Sequence, residues 1–318
     1  AGQWQRSVCI YGGGSFDSRH PGSAGFRGAD WVGTDCGCCH GHSCHFCVDL
    51  PGANPSTNRT DAIGSVLACI SHFQLAKGAL HTMYFNHSDT VWNRFPRLTA
   101  LVLVLQGVRV AKLQNDALNS TFTRVGQLLE QGPESELPSI QAWRQAYSQM
   151  GMKPTQYRCA VEALLRRFRK DGHLPGFHPL IDTLNAESMQ AAIPIAAFDC
   201  AHISGGITVR PADGTEIYRT FQGEVEHPTE DEIVFADEAN HAHSRRWVFR
   251  QGAQSVVSKE SDTVLVVAEA LHERAYEDLE ALHERITIRA AELEIEVLKE
   301  GMLTQHSRCF EFVPELCK

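Results

Sequence analysis

The run LTALVLVLQGVRV, from Leu98 to Val110, is the sequence feature that most constrains the fold of this chain. Its apolar residues follow one another without regular polar alternation, so it predicts a strand buried inside a core. It is also the longest apolar run in the chain, and it falls short of the roughly 18 to 20 apolar residues that a membrane-spanning helix needs. We therefore expect a soluble, cytoplasmic protein with no membrane span and no export signal.

The segments that follow Met83 alternate between helical and strand patterns. Apolar residues at helical spacing predict three helices, and two short alternating runs around Asp213-Gly214 predict a β-hairpin. Two further apolar runs predict two strands. An acidic amphipathic segment predicts a closing helix. In chain order these sequences are TRVGQLLEQ, PSIQAWRQAYSQMG, AVEALLRRFRK, GGITVRPADGTEIYRTFQG, EIVFAD, DTVLVVAEAL and EALHERAYEDLEALHERI. The order does not repeat a βαβ unit, so it predicts an α+β fold.

Residues 1–82 differ in composition from the rest of the chain. They contain 13 of the 25 glycines and a single lysine, Lys77, and only Asp61–Gly78 has the pattern of a short helix. We interpret 1–82 as a poorly structured extension, 83–300 as the folded domain and 301–318 as a C-terminal tail. Deletion of the extension is expected to leave the fold intact.

A cluster of five cysteines and three histidines lies between Thr34 and Cys47. Cys44 and Cys47 have the spacing of a zinc knuckle, but zinc sites usually place their second ligand pair a dozen or more residues away, and here every partner lies immediately before the first. We therefore predict no metal and no cofactor, although a compact zinc site is the alternative. The odd total of 11 cysteines does not fit a disulfide framework and favours a reducing compartment.

The charge balance limits how the chain can bind nucleic acid. With 29 basic and 38 acidic residues the net charge is −9, which argues against binding through bulk charge. Two local basic groups remain, and arginines interleaved with aromatic residues suit phosphates and stacked bases of RNA. They comprise Arg166 and Arg167 in EALLRRFRKDGH, and Arg245, Arg246, Trp247 and Arg250 in HSRRWVFRQG. A solvated helix face and an amphipathic strand are the alternative interpretation.

No sequence motif identifies a nucleophile or a nucleotide site. The chain contains no G-x-S-x-G elbow, no P-loop, no G-x-G-x-x-G after a strand and no H-E-x-x-H. The sequence therefore contains no motif that would assign the chain to the serine hydrolases, NTPases, dinucleotide enzymes or zincins.

Several ordered blocks between about Met83 and Val297 resemble a known family. They are Lys153-Pro154, Tyr157-Arg158, the PLIDTLN stretch from Pro179 to Asn185, Phe198-Asp199, FADE from Phe235 to Glu238, Arg245-Arg246-Trp247 and Arg250-Gln251. The pattern is similar to the B3/B4 domain of the bacterial phenylalanyl-tRNA synthetase beta subunit, and above all to free-standing relatives of that domain. The resemblance implies a three-layer α+β module with a sandwich-like sheet core and helices.

The resemblance also implies an activity and a set of site residues. The B3/B4 domain hydrolyses tyrosine wrongly esterified to phenylalanine tRNA, which implies an aminoacyl-tRNA deacylase that acts in trans and has no aminoacylation activity of its own. Asn185 carries over from the family's Thr-Asn pair, Gly252 from its Gly-Gly turn and Glu269 from the glutamate that reads the tyrosine hydroxyl. His178 would hold the amino acid together with Asn185, and the arginines would hold the tRNA acceptor end.

The sequence departs from the family where the family has a histidine, because Ala196 occupies that position. An aminoacyl ester is already activated, so positioned water and a polarised carbonyl can provide hydrolysis without a protein base. The alternative is a non-catalytic module that retains the pocket for an amino acid, a small metabolite or tRNA. We expect a monomer or a weak dimer.

Overall fold

The computed structural model describes residues 82–114 and 116–314. The Cys/His cluster and the predicted helix at Asp61–Gly78 lie outside these residues. The described helices are α1 Asp89–Arg94, α2 Asn119–Glu130, α3 Pro138–Gln149, α4 Ala160–Asp171, α5 Pro179–Ala191 and α6 Ala275–Glu292. The strands are β1 Met83–His87, β2 Thr99–Gln106, β3 Ile195–Asp199, β4 Gly206–Pro211, β5 Tyr218–Arg219, β6 Val225–Glu226, β7 Ile233–Asp237, β8 Ala242–Arg245, β9 Arg250–Gln251, β10 Val264–Ala270, β11 Glu296–Leu303 and β12 Cys309–Phe312.

The predicted buried strand is confirmed as β2, an inner strand of a four-stranded antiparallel sheet with the order β11-β2-β10-β3. Side chains on a strand alternate between its two faces, so a strand with both faces covered is apolar throughout. Val102 and Val104 belong to one buried cluster, and Leu103 and Leu105 belong to another, which contains apolar residues of α5 and α6. Both faces of this sheet are therefore covered.

The second layer is a six-stranded sheet with the order β12-β1-β4-β7-β8-β9, in which only β1 and β4 run parallel. Phe85, Ile207 and Phe235 of this sheet share a buried cluster with Val102 and Val104 of the other. The layers are thus sheet, sheet and helices, which confirms the α+β, three-layer, sandwich-like fold expected from the sequence.

The predicted helices are confirmed at α2, α3 and α4, and their ends have clear local causes. Pro138 occupies the first turn of α3, where its missing N–H removes no hydrogen bond. Gly172 ends α4 in the left-handed region at φ 72°. No described helix is both long enough and apolar enough to span a membrane.

The hairpin predicted at Asp213-Gly214 is wrong. Strand β4 pairs with β1 and β7, and β5 pairs with β6 instead. The cause is Glu216, whose fully buried carboxylate accepts hydrogen bonds from the backbone N–H groups of Asp213 and Gly214 and pairs with Arg210. This carboxylate organises the turn and directs the chain away from β4.

The C-terminal boundaries also differ from the prediction. The closing helix begins at Ala275 rather than at Glu269, because Glu269 is still part of β10. The predicted tail from residue 301 contains the end of β11 and all of β12, which pairs with β1 at the edge of the six-stranded sheet. Its buried Phe310 and Phe312 alternate with exposed residues, which is the period of a strand.

Candidate functional site

A cavity of about 180 Å³ lies among α2, α5 and the segment that follows α4. One part of its wall is apolar and includes Leu118, Phe122 and Leu174. The other part carries the polar side chains of Asp182 and Asn185. Leu113, Gln114, Asn119, Pro175 and Gly176 complete the lining.

The sequence of α5 explains why its polar side chains reach one cavity. His178 is the N-cap, with its Nδ1 accepting a hydrogen bond from the backbone N–H of Leu180 at 3.2 Å, and Pro179 begins the helix. Asp182 and Asn185 follow at a spacing of three, which places them on the same helical face. Burial lowers the pKa of His178, which favours its neutral form. His178 itself does not line the cavity.

Asp182 carries the carboxylate of this site. Its two oxygens accept hydrogen bonds from the backbone N–H of Phe177 at 2.9 and 3.2 Å. Burial raises the pKa of Asp182 above its ordinary value, against the opposing effect of the backbone N–H groups of Phe177 and His178. Gly176 lies beside this carboxylate, and a Cβ at that position would stand 3.4 Å from Oδ2, an ordinary van der Waals distance.

Asn185 is 2% exposed, and its Oδ1 is buried without a hydrogen-bond partner. A buried amide oxygen without a donor is costly and uncommon in a folded protein, so it calls for a physical explanation. Asn185 is also one of the polar residues that line the cavity.

Glu269 lies elsewhere, in the interior between the two sheets. Its Oε1 accepts a hydrogen bond from the indole Nε1 of Trp247 at 3.0 Å and lies 2.6 Å from Nε2 of His87. The carboxylate is 1% exposed, and Trp92, Trp143 and Phe95 pack around its two partners. Glu269 therefore ties β10 to β1 and to the β8–β9 turn, and it does not line the cavity at Asn185.

Gly252 is a packing residue. A Cβ there would lie 3.0 Å from the ring of Tyr218 and 3.1 Å from the carbonyl oxygen of Arg219. Its N–H donates to the carbonyl of His243. Of the four residues predicted to bind substrate, only Asn185 lines the cavity. His178 caps the start of α5, and Gly252 and Glu269 lie away from both.

The basic group around Trp247 is largely engaged within the fold. Arg245 is buried and pairs with Glu226 and Glu232, and the indole of Trp247 has no exposed surface. These two side chains therefore offer neither a free guanidinium nor an exposed ring to a nucleic acid in this structure. Arg246 stacks over Tyr157 and Phe249, and Arg250 is partly exposed over Tyr218.

The basic face of α4 is exposed. The side chains of Arg166 and Arg167 are 52% and 48% exposed. Arg166 pairs with the buried carboxylate of Glu134 at 3.1 Å, and Arg167 pairs with Asp171 at the surface at 3.7 Å. Helix α4 ends at Asp171, directly before the segment that lines the cavity, and Phe168 of α4 stacks on the lining residue Phe122. The arginines are thus carried by an element that borders the cavity.

A second buried polar network joins β7, β8 and the segment after β9. His243 contacts the hydroxyl of Ser255 at 2.8 Å through Nδ1, and its Nε2 lies 3.3 Å from Asp237. Burial would raise the pKa of Asp237, but its contact with His243 and the N–H groups of His241 and Ser204 outweigh this and hold it at about 2. Ser255 and His243 are fully buried, so a substrate cannot reach this serine in the folded state.

Asp182 and Gly176 were not among the site residues predicted from the sequence. A usable signal existed for Asp182, because its three-residue spacing from Asn185 after a helix-starting proline places both on one face. Gly176 gave no such signal, since its importance depends on a distance to Asp182 in the folded chain. Within the described ranges, no three His, Cys, Asp or Glu side chains form a group that could hold a metal ion.

Comparison with known proteins shows a family match and a likeness to solved structures. Residues 142–309 match the family model described as B3/4 domain. An N-terminal fragment of the phenylalanyl-tRNA synthetase beta-subunit from Pyrococcus horikoshii is 11% identical, with a TM-score of 0.36 over 73% of this chain. The match spans 55% of that fragment. No curated protein matches.

Proposed function

The chain belongs to the B3/4 domain family, and on that premise we propose that it binds the acceptor end of mischarged aminoacyl-tRNA and hydrolyses the aminoacyl ester in trans. The cavity at Asn185 receives the aminoacyl group. The observation that carries this proposal is a cavity of about 180 Å³ whose wall combines apolar side chains with the polar side chains of Asp182 and Asn185.

The size of the cavity supports a single aminoacyl group as its occupant. A cavity of about 150 Å³ in another protein holds benzene, whereas pockets for larger ligands measure about 300 to 1,000 Å³. At about 180 Å³ the cavity suits one amino-acid moiety and excludes a nucleotide. The tRNA itself must then lie outside the cavity.

The charges near the cavity support a place for the tRNA backbone. Because the whole chain carries a charge of −9, attraction for phosphates has to be local. Arg166 and Arg167 supply it on the exposed face of α4. Arg250, which is partly exposed, is a further candidate.

The proposed reaction does not require a protein base. A water molecule attacks the ester carbonyl, the bond between that carbon and the ribose oxygen breaks, and the ribose oxygen takes up the proton that the water releases. Asn185 and Asp182 hold the aminoacyl group in position, which converts the attack into an oriented step. This is consistent with Ala196, which is buried on β3 and provides no proton-transfer group.

A second candidate function is binding without hydrolysis. It is favoured by Glu269, the family's substrate-reading residue, because its carboxylate is already engaged by His87 and Trp247. A module of this kind would keep the cavity for an amino acid or a tRNA end and would leave the ester intact.

The experiment is incubation of the full chain with a panel of tRNAs, each charged with a wrong amino acid. We expect at least one ester to be hydrolysed faster than in buffer. Asn185→Leu should slow that hydrolysis about 10- to 100-fold, because an amide hydrogen bond to a charged group is lost. Asn93→Leu, at an exposed position of α1, is the matched control and should retain the rate. Hydrolysis of every ester at the rate in buffer would eliminate the enzyme, and retained tRNA binding would then select the second candidate.

The tRNA contacts have a separate test in the salt dependence of binding. Arg166→Ala and Arg167→Ala should each weaken tRNA binding and reduce the slope of log affinity against log salt by about one per lost phosphate contact. Arg274→Ala is the control, since the side chain of Arg274, directly before α6, is 74% exposed. Unchanged slopes would assign the α4 arginines to a solvated helix face.

A further inference from the structure

An open groove of about 540 Å³ lies between α3 and the turn 153–157 that precedes α4. Its lining consists of Arg144 and neutral side chains, namely Gln145, Ser148, Gln149, Pro154 and Thr155. Pockets for ligands of the size of a nucleotide measure about 300 to 1,000 Å³. The groove can therefore receive a nucleotide, for which the cavity of about 180 Å³ beside α5 is too small.

The charges beside the groove favour a phosphate group. Arg144 and Arg158 pair with the same carboxylate oxygen of the buried Glu162, at 2.7 and 3.5 Å, so one carboxylate faces two guanidinium groups. The two arginine side chains remain 27% and 32% exposed. Because the whole chain has a net charge of −9, this local excess of positive charge can direct an anion to the groove.

Arg246 forms a stack with two aromatic rings next to the groove. Its guanidinium carbon lies 4.8 Å from the ring centroid of Tyr157 and 5.6 Å from that of Phe249, and the two rings meet edge to face. Tyr157 closes the turn whose Pro154 and Thr155 line the groove. The Arg246 side chain is 24% exposed and both rings are partly exposed, so the stack reaches solvent.

The stack has the chemistry of a platform for a nucleic-acid base. A planar guanidinium group and aromatic rings both offer flat faces on which an unpaired base can stack. The backbone N–H of Arg246 donates to Glu232 at 2.9 Å, and its Nε lies 3.8 Å from the other oxygen of that carboxylate. These contacts and the rings hold the guanidinium group in place before a ligand arrives. Only a single-stranded partner leaves a base face free for such a contact.

We propose that the groove and the stack bind an unpaired nucleotide of RNA, with its phosphate at Arg144 and Arg158 and its base on Arg246. This inference rests on the proposed function and deepens it, because it names the surface that holds a single-stranded part of the same tRNA. Helix α4 begins shortly after the turn and ends directly before the segment that lines the cavity, and its 12 residues span about 18 Å. The nucleotide site is therefore separate from the cavity for the aminoacyl group.

The test measures binding of short fluorescent RNA strands to the full chain by fluorescence anisotropy. One probe is oligoadenylate, and the matched probe has the same length and the same sugar-phosphate backbone but no bases. We expect removal of the bases to weaken binding about 10- to 100-fold, because base stacking is lost while the phosphates remain. Equal affinity of the two probes would overturn the inference, and so would equally strong competition by an acidic peptide.

Variants separate the stack from the charge. Arg246→Lys keeps the charge and removes the planar face, so it should weaken oligoadenylate about tenfold and leave the probe without bases unchanged. Tyr157→Leu should act in the same direction, because it removes the ring beneath the guanidinium group. Arg144→Gln should weaken both probes and reduce the slope of log affinity against log salt by about 0.7. Arg109→Lys, at a 56% exposed arginine outside the groove and the stack, is the matched control.

A thermal melt without RNA identifies any variant that fails to fold. The other stack variant then decides, and the comparison of the two probes on the unaltered chain needs no variant. If Arg246→Lys and Tyr157→Leu both fold and bind oligoadenylate as the wild type does, the inference is overturned and the stack only stabilises the turn at Trp247.

The outcomes also separate this inference from the proposed function. Hydrolysis of a mischarged tRNA, together with RNA binding that does not depend on the bases, would overturn the nucleotide site while the hydrolase stands. Binding that depends on the bases and on Arg246, without any hydrolysis, would uphold the nucleotide site and overturn the hydrolase. Absence of both would overturn both.

Discussion

Replacement of Glu269 tests whether this residue holds the fold or reads a substrate. In the structure a single oxygen, Oε1, serves both His87 and Trp247, and all three side chains are buried. Glu269→Ala leaves two donors without an acceptor, and each costs about 1 to 3 kcal/mol. We therefore expect the free energy of unfolding to fall by about 2 to 6 kcal/mol.

Glutamine at the same position separates the hydrogen bonds from the charge. Glu269→Gln keeps an amide oxygen that can accept from both partners, so its loss of stability should be clearly smaller than that of Glu269→Ala. Trp247→Phe should cost about 1.5 to 3 kcal/mol, because it removes one donor to a carboxylate. The double variant Glu269→Ala with Trp247→Phe should cost less than the sum of the two, since both remove the same contact.

Urea unfolding measures these changes, with a constant slope against denaturant as the sign that only stability has changed. Glu273→Ala, at a nearby exposed position, is the control and should stay within about 0.5 kcal/mol of the wild type. If Glu269→Ala unfolds at the wild-type midpoint but changes the order of preference among aminoacyl esters, the interior role is refuted and Glu269 is a substrate-reading residue.

Three further predictions concern buried charges and glycines. The pKa of Asp237 in the folded protein is lowered to about 2, so its ionised carboxylate contributes about 2 kcal/mol to the free energy of unfolding, and this contribution should be lost as the pH falls from about 4 to about 2. In urea unfolding, Asp237→Asn should remove this pH dependence. Glu187→Gln should cost about 2 to 3 kcal/mol in the same assay, because it breaks the buried pairs that tie α5 to two arginines of α6. Gly206→Ala should lower the thermal midpoint more than Gly223→Ala. A Cβ at Gly206 would stand 2.5 Å from the carbonyl oxygen of Tyr84 on β1, whereas alanine at Gly223 would meet no neighbour and would only be strained by the left-handed backbone there.

Sequence reasoning succeeded where one local pattern decides the structure. The helical spacing in α2 to α4 and the apolar run of β2 are properties of neighbouring residues, and the structure confirms them. It failed at Asp213-Gly214, where a buried carboxylate two residues further on determines the turn. It also failed at the C-terminus, because β12 becomes a strand by pairing with β1, more than 200 residues earlier in the chain.

The basic segment around Trp247 shows that local sequence is also insufficient to predict which residues form a binding site. Its arginines and aromatic rings have the composition of an RNA-binding surface, and composition does not distinguish an exposed ring from a buried one. Arg246 and Trp247 have φ values of 49° and 57°, in the left-handed region that bulky residues avoid. This turn directs the indole inward to Glu269, which no periodicity in the sequence predicts.

The positions of Ala196, Glu269 and Asn185 together explain why the site is expected on the helical layer. Ala196 pairs with Val267, and residues two apart on a strand share a face, so Ala196 and Glu269 face the same interior between the sheets. Trp247 occupies that interior and donates its indole N–H to Glu269, whereas the Oδ1 of Asn185 on α5 has no hydrogen-bond partner. Substitutions at Glu269 should therefore act mainly on stability, and substitutions at Asn185 mainly on ligand affinity. If substitutions at Glu269 changed ligand affinity and substitutions at Asn185 changed only stability, the interior between the sheets would have to open to admit the substrate.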